Sequence, residues 1–245
     1  MKNLVEVKDI KKNYGKNEAV KGISFTIKED EILGLLGPNG CGKTTTIGML
    51  LGLLKPTSGE IFINGQKLDG NRIEILEQIN FISPYIELPK KLTVKQNLIV
   101  YSKLYNIKNI DQRIEFLSEK LRLNDLLNKI TGELSSGQKN RVSLAKALIN
   151  EPKVLFLDEP TASLDPEVGD FVRTFLENYK KEKKISILLA SHNMNEVTRL
   201  CKSILMMKEG NIIDKGNPNE LISKHGRQNL EEVFLKLSRS KNEFN

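Results

Sequence analysis

The octapeptide Gly37-Pro38-Asn39-Gly40-Cys41-Gly42-Lys43-Thr44 constrains this chain more than any other stretch. It follows a short, nearly continuous apolar run at 31–36, the pattern of a strand covered on both faces, and leads into a helical segment over about 43–54. Strand, glycine-rich turn and helix in that order match G-x-x-x-x-G-K-[ST], a loop whose backbone N–H groups curl around phosphate oxygens. The helix start adds its partial positive charge. Lys43 is expected to reach the β- and γ-phosphates of a nucleotide and the Thr44 hydroxyl to ligate Mg2+, while Thr45 continues the same binding loop. Each charge-assisted hydrogen bond is worth roughly 1.5–3 kcal/mol, so several together predict tight triphosphate binding.

A buried strand feeding such a loop calls for a sheet with helices packed on it. Residues 4–10 and 23–27 alternate apolar with polar, predicting two half-buried strands, and 59–65 reads as a strand closing in an Asn64-Gly65 turn. From about 93 to 129 the period becomes helical, with Leu98, Tyr101, Leu104 and Tyr105 on one face and Ile114, Leu117 and Leu121 on another. Strand patterns return at 154–157 and 185–189, separated by a helix over about 166–181. A hairpin at 204–207 and 212–214 turns at Glu209-Gly210-Asn211, and two short helices, about 218–224 and 229–237, close the pattern.

Val154-Leu155-Phe156-Leu157-Asp158 sets Asp158 at the end of a second buried strand. A carboxylate there can hold Mg2+ through water, and the adjacent Glu159 can polarise an attacking water. Strand termination in solvent would also leave two carboxylates after an apolar run. Beside the phosphate loop, the pair points to a Mg2+-dependent nucleoside triphosphatase. Further along the puzzle deepens: Leu134-Ser135-Ser136-Gly137-Gln138 opens a helix reaching about 150 and has the small polar residues of an anion-binding helix start, yet it has no phosphate loop of its own. An ordinary capped helix would read the same way.

Taken with Leu157-Asp158-Glu159-Pro160-Thr161, Ser163-Leu164-Asp165-Pro166 and His192, in this order after the loop at 37–44, that segment resembles the signature of the ATP-binding cassette (ABC) ATPases, and the series covers almost the whole chain. The resemblance implies an α/β fold, the ABC ATPase cassette: a RecA-like P-loop core with an antiparallel β subdomain and an inserted helical subdomain. It would occupy 1–217, with the helical insertion at about 90–150, followed by a short C-terminal helical extension at 218–245. It also implies two cassettes packed head to tail, with ATP between the phosphate loop of one and Ser135, Ser136, Gly137 and Gln138 of the other. ATP and Mg2+ are the implied cofactors.

Individual roles follow from the same resemblance. Tyr14 falls where the family's adenine-stacking aromatic lies, although a strand-end tyrosine half buried against the sheet fits as well. Glu159 resembles the catalytic base, His192 the switch residue that contacts the γ-phosphate, and Asp165 the residue that links the two sites across the dimer; Lys43 completes the catalytic set. One position departs from the pattern. The family usually carries a glutamine after the strand at about 79–82, where this chain reads Phe81-Ile82-Ser83-Pro84-Tyr85. The proline side chain neither donates nor ligates, so Ser83, Tyr85 or water would have to take the place. Ser136 stands where a glycine is more common.

Composition narrows the setting. A chain of 245 residues, 39% hydrophobic, has no apolar stretch near the roughly 20 residues of a membrane span. Lys2-Asn3-Leu4-Val5-Glu6 lacks the apolar run and cleavage site of a signal peptide, predicting a cytosolic, soluble chain. Two cysteines are too few for a disulfide framework. The net charge of +7 comes from basic residues spread along the chain, with no basic block interleaved with aromatics, so no nucleic-acid partner is expected. The implied partners are an integral membrane permease subunit, docked on the helical lobe at 93–129, and a second cassette, identical or different. The protein would then lie peripherally on the cytoplasmic face of the cell membrane. Asn229-Leu230-Glu231-Glu232-Val233-Phe234 resembles the tail of bacterial export-type ATPase subunits, although an amphipathic closing helix would look similar. A soluble ABC ATPase acting on nucleic acid or ribosomes is the alternative reading.

Overall fold

The computed structural model describes residues 2–69, 72–84 and 86–239. The chain divides into two units, Met1–Ile75 with Ser186–Asn245, and Leu76–Ile185.

The first unit opens with β1 (Asn3–Tyr14) and β2 (Asn17–Lys28), paired antiparallel over nearly their full length. Both are longer than their apolar alternation predicts. The ladder runs on through polar pairs such as Lys11 with Lys21, where backbone pairing alone extends the strand. Next come β3 (Ile32–Leu36), α1 (Lys43–Leu50), β4 (Ser58–Ile63), β5 (Gln66–Lys67) and the short helix α2 (Arg72–Leu76). An antiparallel sheet forms in the order β2-β1-β4-β5. The β4–β5 turn is the expected one: Asn64 and Gly65 both have positive φ, 51° and 78°, the conformation that a two-residue hairpin of the I′ type needs. Helix α1 stops sooner than the 43–54 expected, because Gly52 enters the left-handed region (φ 64°) and the amides of Leu53 and Leu54 both return to the Gly48 carbonyl.

In the second unit, β6 (Ile79–Ile82) runs parallel to β7 (Val154–Asp158), the latter buried throughout. Between them lie α3 (Val94–Leu104), α4 (Ile110–Leu121) and α5 (Ser136–Leu148), which pack on one another through residues such as Leu98, Leu117, Leu121 and Leu144. Helix α6 (Pro166–Lys183) follows the sequence signals closely. Asp165 caps it by accepting from the Val168 amide, Pro166 fills its first turn, and lysines at 180, 181 and 183 complement its carboxyl end.

The chain then returns to the first unit with β8 (Ser186–Ser191), α7 (Met194–Leu200), β9 (Ser203–Lys208), β10 (Asn211–Gly216), α8 (Pro218–His225) and α9 (Leu230–Arg239). Here β3 is flanked by β8 and β9, both parallel to it, and β9 pairs antiparallel with β10. Strands β3 and β8 are buried at every residue, which is why their sequences read as unbroken apolar runs. Helix α7 was not expected from the sequence; it lies over β3, with Val197 and Cys201 against Gly34. No helix among the described residues is long and apolar enough to cross a membrane.

Candidate nucleotide site

In the first unit the chain leaves β3 at Leu36 and turns sharply at Gly37. A side chain there would come within 2.5 Å of both Cys41 Sγ and the Met207 carbonyl oxygen. The loop is fastened from below, since the Gly210 amide donates to the Cys41 carbonyl at 3.0 Å. Gly42 starts α1 at φ 110°, and a Cβ there would lie 2.6 Å from the Ala19 oxygen. Only glycine meets both demands.

Lys43, 6% exposed, folds back over this loop and donates to the Gly37 carbonyl at 2.7 Å and to that of Pro38 at 3.2 Å. Pro38, Asn39, Gly40 and Thr44 are exposed and Thr45 is half-buried, whereas Cys41 is buried. Helix α1 has no side-chain cap and no acidic residue in its first turn, so no carboxylate of its own offsets the positive end of its dipole. Tyr14, at the end of β1, is 48% exposed. The Lys12 ammonium lies 5.2 Å from its ring centroid and donates to the Lys55 carbonyl. His192 follows β8 directly and is exposed. Ser191 is the register partner of Leu36, so His192 and the phosphate loop leave neighbouring parallel strands at the same level. That is the end of a parallel sheet where ligands bind.

The second unit gathers the other set. Asp158 ends β7 and is 2% exposed. Glu159 follows in the left-handed region, φ 50°, an unusual backbone for a glutamate and one found at sites held by their surroundings. Ser135 caps α5 in a reciprocal box: its Oγ accepts from the Gln138 amide at 3.3 Å, and Gln138 Oε1 accepts from the Ser135 amide at 3.0 Å. Gly137 is buried, and a Cβ on it would sit 3.1 Å from both methyls of Val168 in α6. Thus the starts of α5 and α6, the latter capped by Asp165, lie against each other. Asn140 Nδ2 donates to the Pro160 carbonyl at 2.7 Å and so ties α5 to the loop after Glu159. A cleft of about 190 Å³ opens here, lined by Ser136, Lys139, Asn140, Glu159, Ser163 and Pro84 among others. Tyr85, one of the residues considered as a substitute for the missing glutamine, lies outside the described residues, while Ser83 is half-buried and Pro84 exposed.

Three further polar residues carried no signal in the sequence. Asn140 has no motif of its own. Lys146, 9% exposed, donates to the Phe81 carbonyl at 3.1 Å and lies 4.7 Å and 5.6 Å from the Phe81 and Tyr101 ring centroids. Burial lowers its pKa to about 8. The third is Glu196, which sits on a helix too short to show a period.

In the first unit the loop offers amides, a buried ammonium and threonine hydroxyls, a donor set that fits the phosphates of a nucleotide. In the second unit the Asp158 carboxylate is a hard oxygen donor of the kind a Mg2+ ion takes. Among the described residues no three His, Cys, Asp or Glu form a metal cluster.

Comparison with known proteins agrees. A family model described as "ABC transporter" matches residues 20–162. Nod factor export ATP-binding protein I of Burkholderia orbicola (strain AU 1054) is 37% identical over 220 residues, covering 89% of this chain and 72% of that protein. The solved structure of an ATP-binding subunit of an ABC transporter superposes with a TM-score of 0.88 at 28% identity, over 96% of this chain and 99% of that one. A dimeric ATP-binding cassette in a post-hydrolysis state, bound to ADP and phosphate, gives 0.79 at 26% identity, over 87% and 98%. The chain therefore belongs to the ABC transporter family as an ATP-binding subunit that hydrolyses ATP.

Proposed function

We propose that this chain is the nucleotide-binding subunit of an export-type transporter, acting on the cytoplasmic face of a membrane through a separate membrane-spanning permease. One observation carries the reading: the chain has two helix starts suited to a single triphosphate. Helix α1 opens from the loop bearing Lys43, and α5 opens at Ser135 with no carboxylate in its first turn and no phosphate loop behind it. A second cassette, packed head to tail, supplies each start with its complement. The cassette spans 1–217, with its helical insertion at about 90–150, and 218–245 is an extension.

In this reading Lys43 and the amides of the loop hold the β- and γ-phosphates, and Tyr14 stacks on adenine. Thr44 and Asp158 hold Mg2+, which when bound neutralises phosphate charge. Glu159 accepts a proton from the attacking water, and His192 orients the γ-phosphate. Ser135, Ser136, Gly137 and Gln138 serve the partner's nucleotide, while Asp165 links the two sites. Ile86 before α3, and Val100 and Leu104 on it, are exposed apolar side chains, a surface suited to a permease. Export is favoured by the relative named for Nod factor export.

The test is to trap MgATP on a Glu159→Gln protein and weigh the product. Twice the 27.7 kDa chain mass is expected. A protein that stays monomeric when saturated with MgATP, and that binds no membrane protein from its own cells, would overturn the reading.

A further inference from the structure

The turn after β8 contains buried polar chemistry that the site has not yet used. Ser191 is 0% exposed and Glu196 1% exposed, and the Ser191 hydroxyl donates to Glu196 Oε2 at 2.8 Å. Ser191 Oγ in turn accepts from the Asn193 amide at 3.0 Å, and Asn193 Oδ1 accepts from the Glu196 amide at 3.2 Å. These bonds close a ring around His192, which is exposed although both of its anchors are buried.

A fully buried hydroxyl–carboxyl pair costs desolvation that an apolar pair of the same volume would avoid. Helix α7 has only seven residues, too short to hold itself without tertiary support. What the pair fixes is direction. Ser191 is in register with Leu36 on β3, Val197 packs on Gly34 of the same strand, and the exposed His192 follows β8 at the level where the phosphate loop leaves β3.

We infer that Ser191 and Glu196 are positioning residues for ATP hydrolysis: their buried hydrogen bond sets the turn that presents His192 to the terminal phosphate. The inference rests on the proposed role of His192. Neither residue touches nucleotide, so binding and turnover should separate. A displacement of the order of 1 Å costs up to about a hundredfold in rate, while the phosphate loop and its affinity remain intact.

The experiment uses the full chain and six variants. ATP affinity is measured by equilibrium titration, and turnover is resolved into kcat and KM. Ser191→Ala and Glu196→Ala are expected to lose about tenfold or more in kcat with ATP affinity within about twofold of the parent. Ser191→Thr and Glu196→Gln keep a donor and an acceptor, so they should recover most of the loss. The double alanine variant should be no slower than the slower single one, since both break the same bond. Alanine variants that bind ATP normally and turn over at the parental rate would overturn the inference. So would threonine and glutamine variants as slow as the alanine ones, or affinity falling in step with kcat. Full activity in His192→Ala would instead remove the role assigned to His192 itself, whatever the pair does.

Discussion

Two helix starts in this molecule meet opposite needs. Helix α1 begins at a glycine with no side-chain cap and no carboxylate nearby in its first turn. Helix α5 begins inside a capping box in which Ser135 and Gln138 satisfy each other's amides. The first start leaves its dipole to an outside anion and brings a buried lysine to meet it. The second is already complete within its own chain, so an anion arriving there must be content with what the box leaves over. Under the function proposed above, this difference would order the two events: a triphosphate would bind α1 first and alone, and α5 would engage a nucleotide only when a second cassette carries it in.

The comparison can be broken at several points. The largest effect belongs to Lys43→Ala, which removes one or two charge-assisted bonds to phosphate and should weaken ATP binding about a hundredfold or more by titration. Comparable affinity in that variant would mean that the α1 start does not govern binding. Next is Gly137→Val. Its side chain drives into Val168, already 3.1 Å from a single added carbon, and overpacking of this kind costs about 1–3 kcal/mol. Single-chain ATP affinity should stay unchanged, while MgATP-driven assembly by light scattering and turnover fall together. A loss of affinity in the isolated chain would erase the distinction between the two starts.

Lys146 tests the far end of α5. Its pKa is lowered to about 8 by burial, from an ordinary 10.5. Between those values the unfolded chain binds more protons than the folded one, so stability should rise with pH there by up to ~1.4 kcal/mol per unit. Lys146→Met should abolish that rise, measured by urea unfolding at pH 8 and pH 10. A slope unchanged by the substitution would show that the ammonium is solvated. The smallest effect is Ser135→Ala, expected to cost about 1 kcal/mol of stability as a lost cap with ATP affinity of the lone chain untouched. If it weakened that affinity, α5 would be serving its own chain's nucleotide.

Much of the site was legible because its chemistry is local. The phosphate loop, Asp158 at the end of an apolar strand, and Asp165-Pro166 opening α6 each announce themselves within a few residues, and each took its expected place in an element. The misses share a cause. Helix α7 has two apolar residues facing in, Val197 and Leu200, too few to establish a period. Ser191 and Glu196 look like ordinary polar residues until the turn buries both. Lys146 sits in a stretch that reads as helix surface, and only the packing of Phe81 and Tyr101 around it makes it a buried cation. The polar end of β1 is a strand because β2 runs beside it.

What the residues determined by themselves was a set of local demands: a glycine turn opening a helix, carboxylates at the end of a buried strand, and a helix start capped by serine. Short-range sterics and hydrogen bonding impose these within a few residues of chain. Tertiary structure alone decided which of them become neighbours. The pairing of β3 with β8 puts His192 level with the phosphate loop, and the contact of Gly137 with Val168 joins two helix starts, because register and close packing depend on strands and helices far apart in the chain.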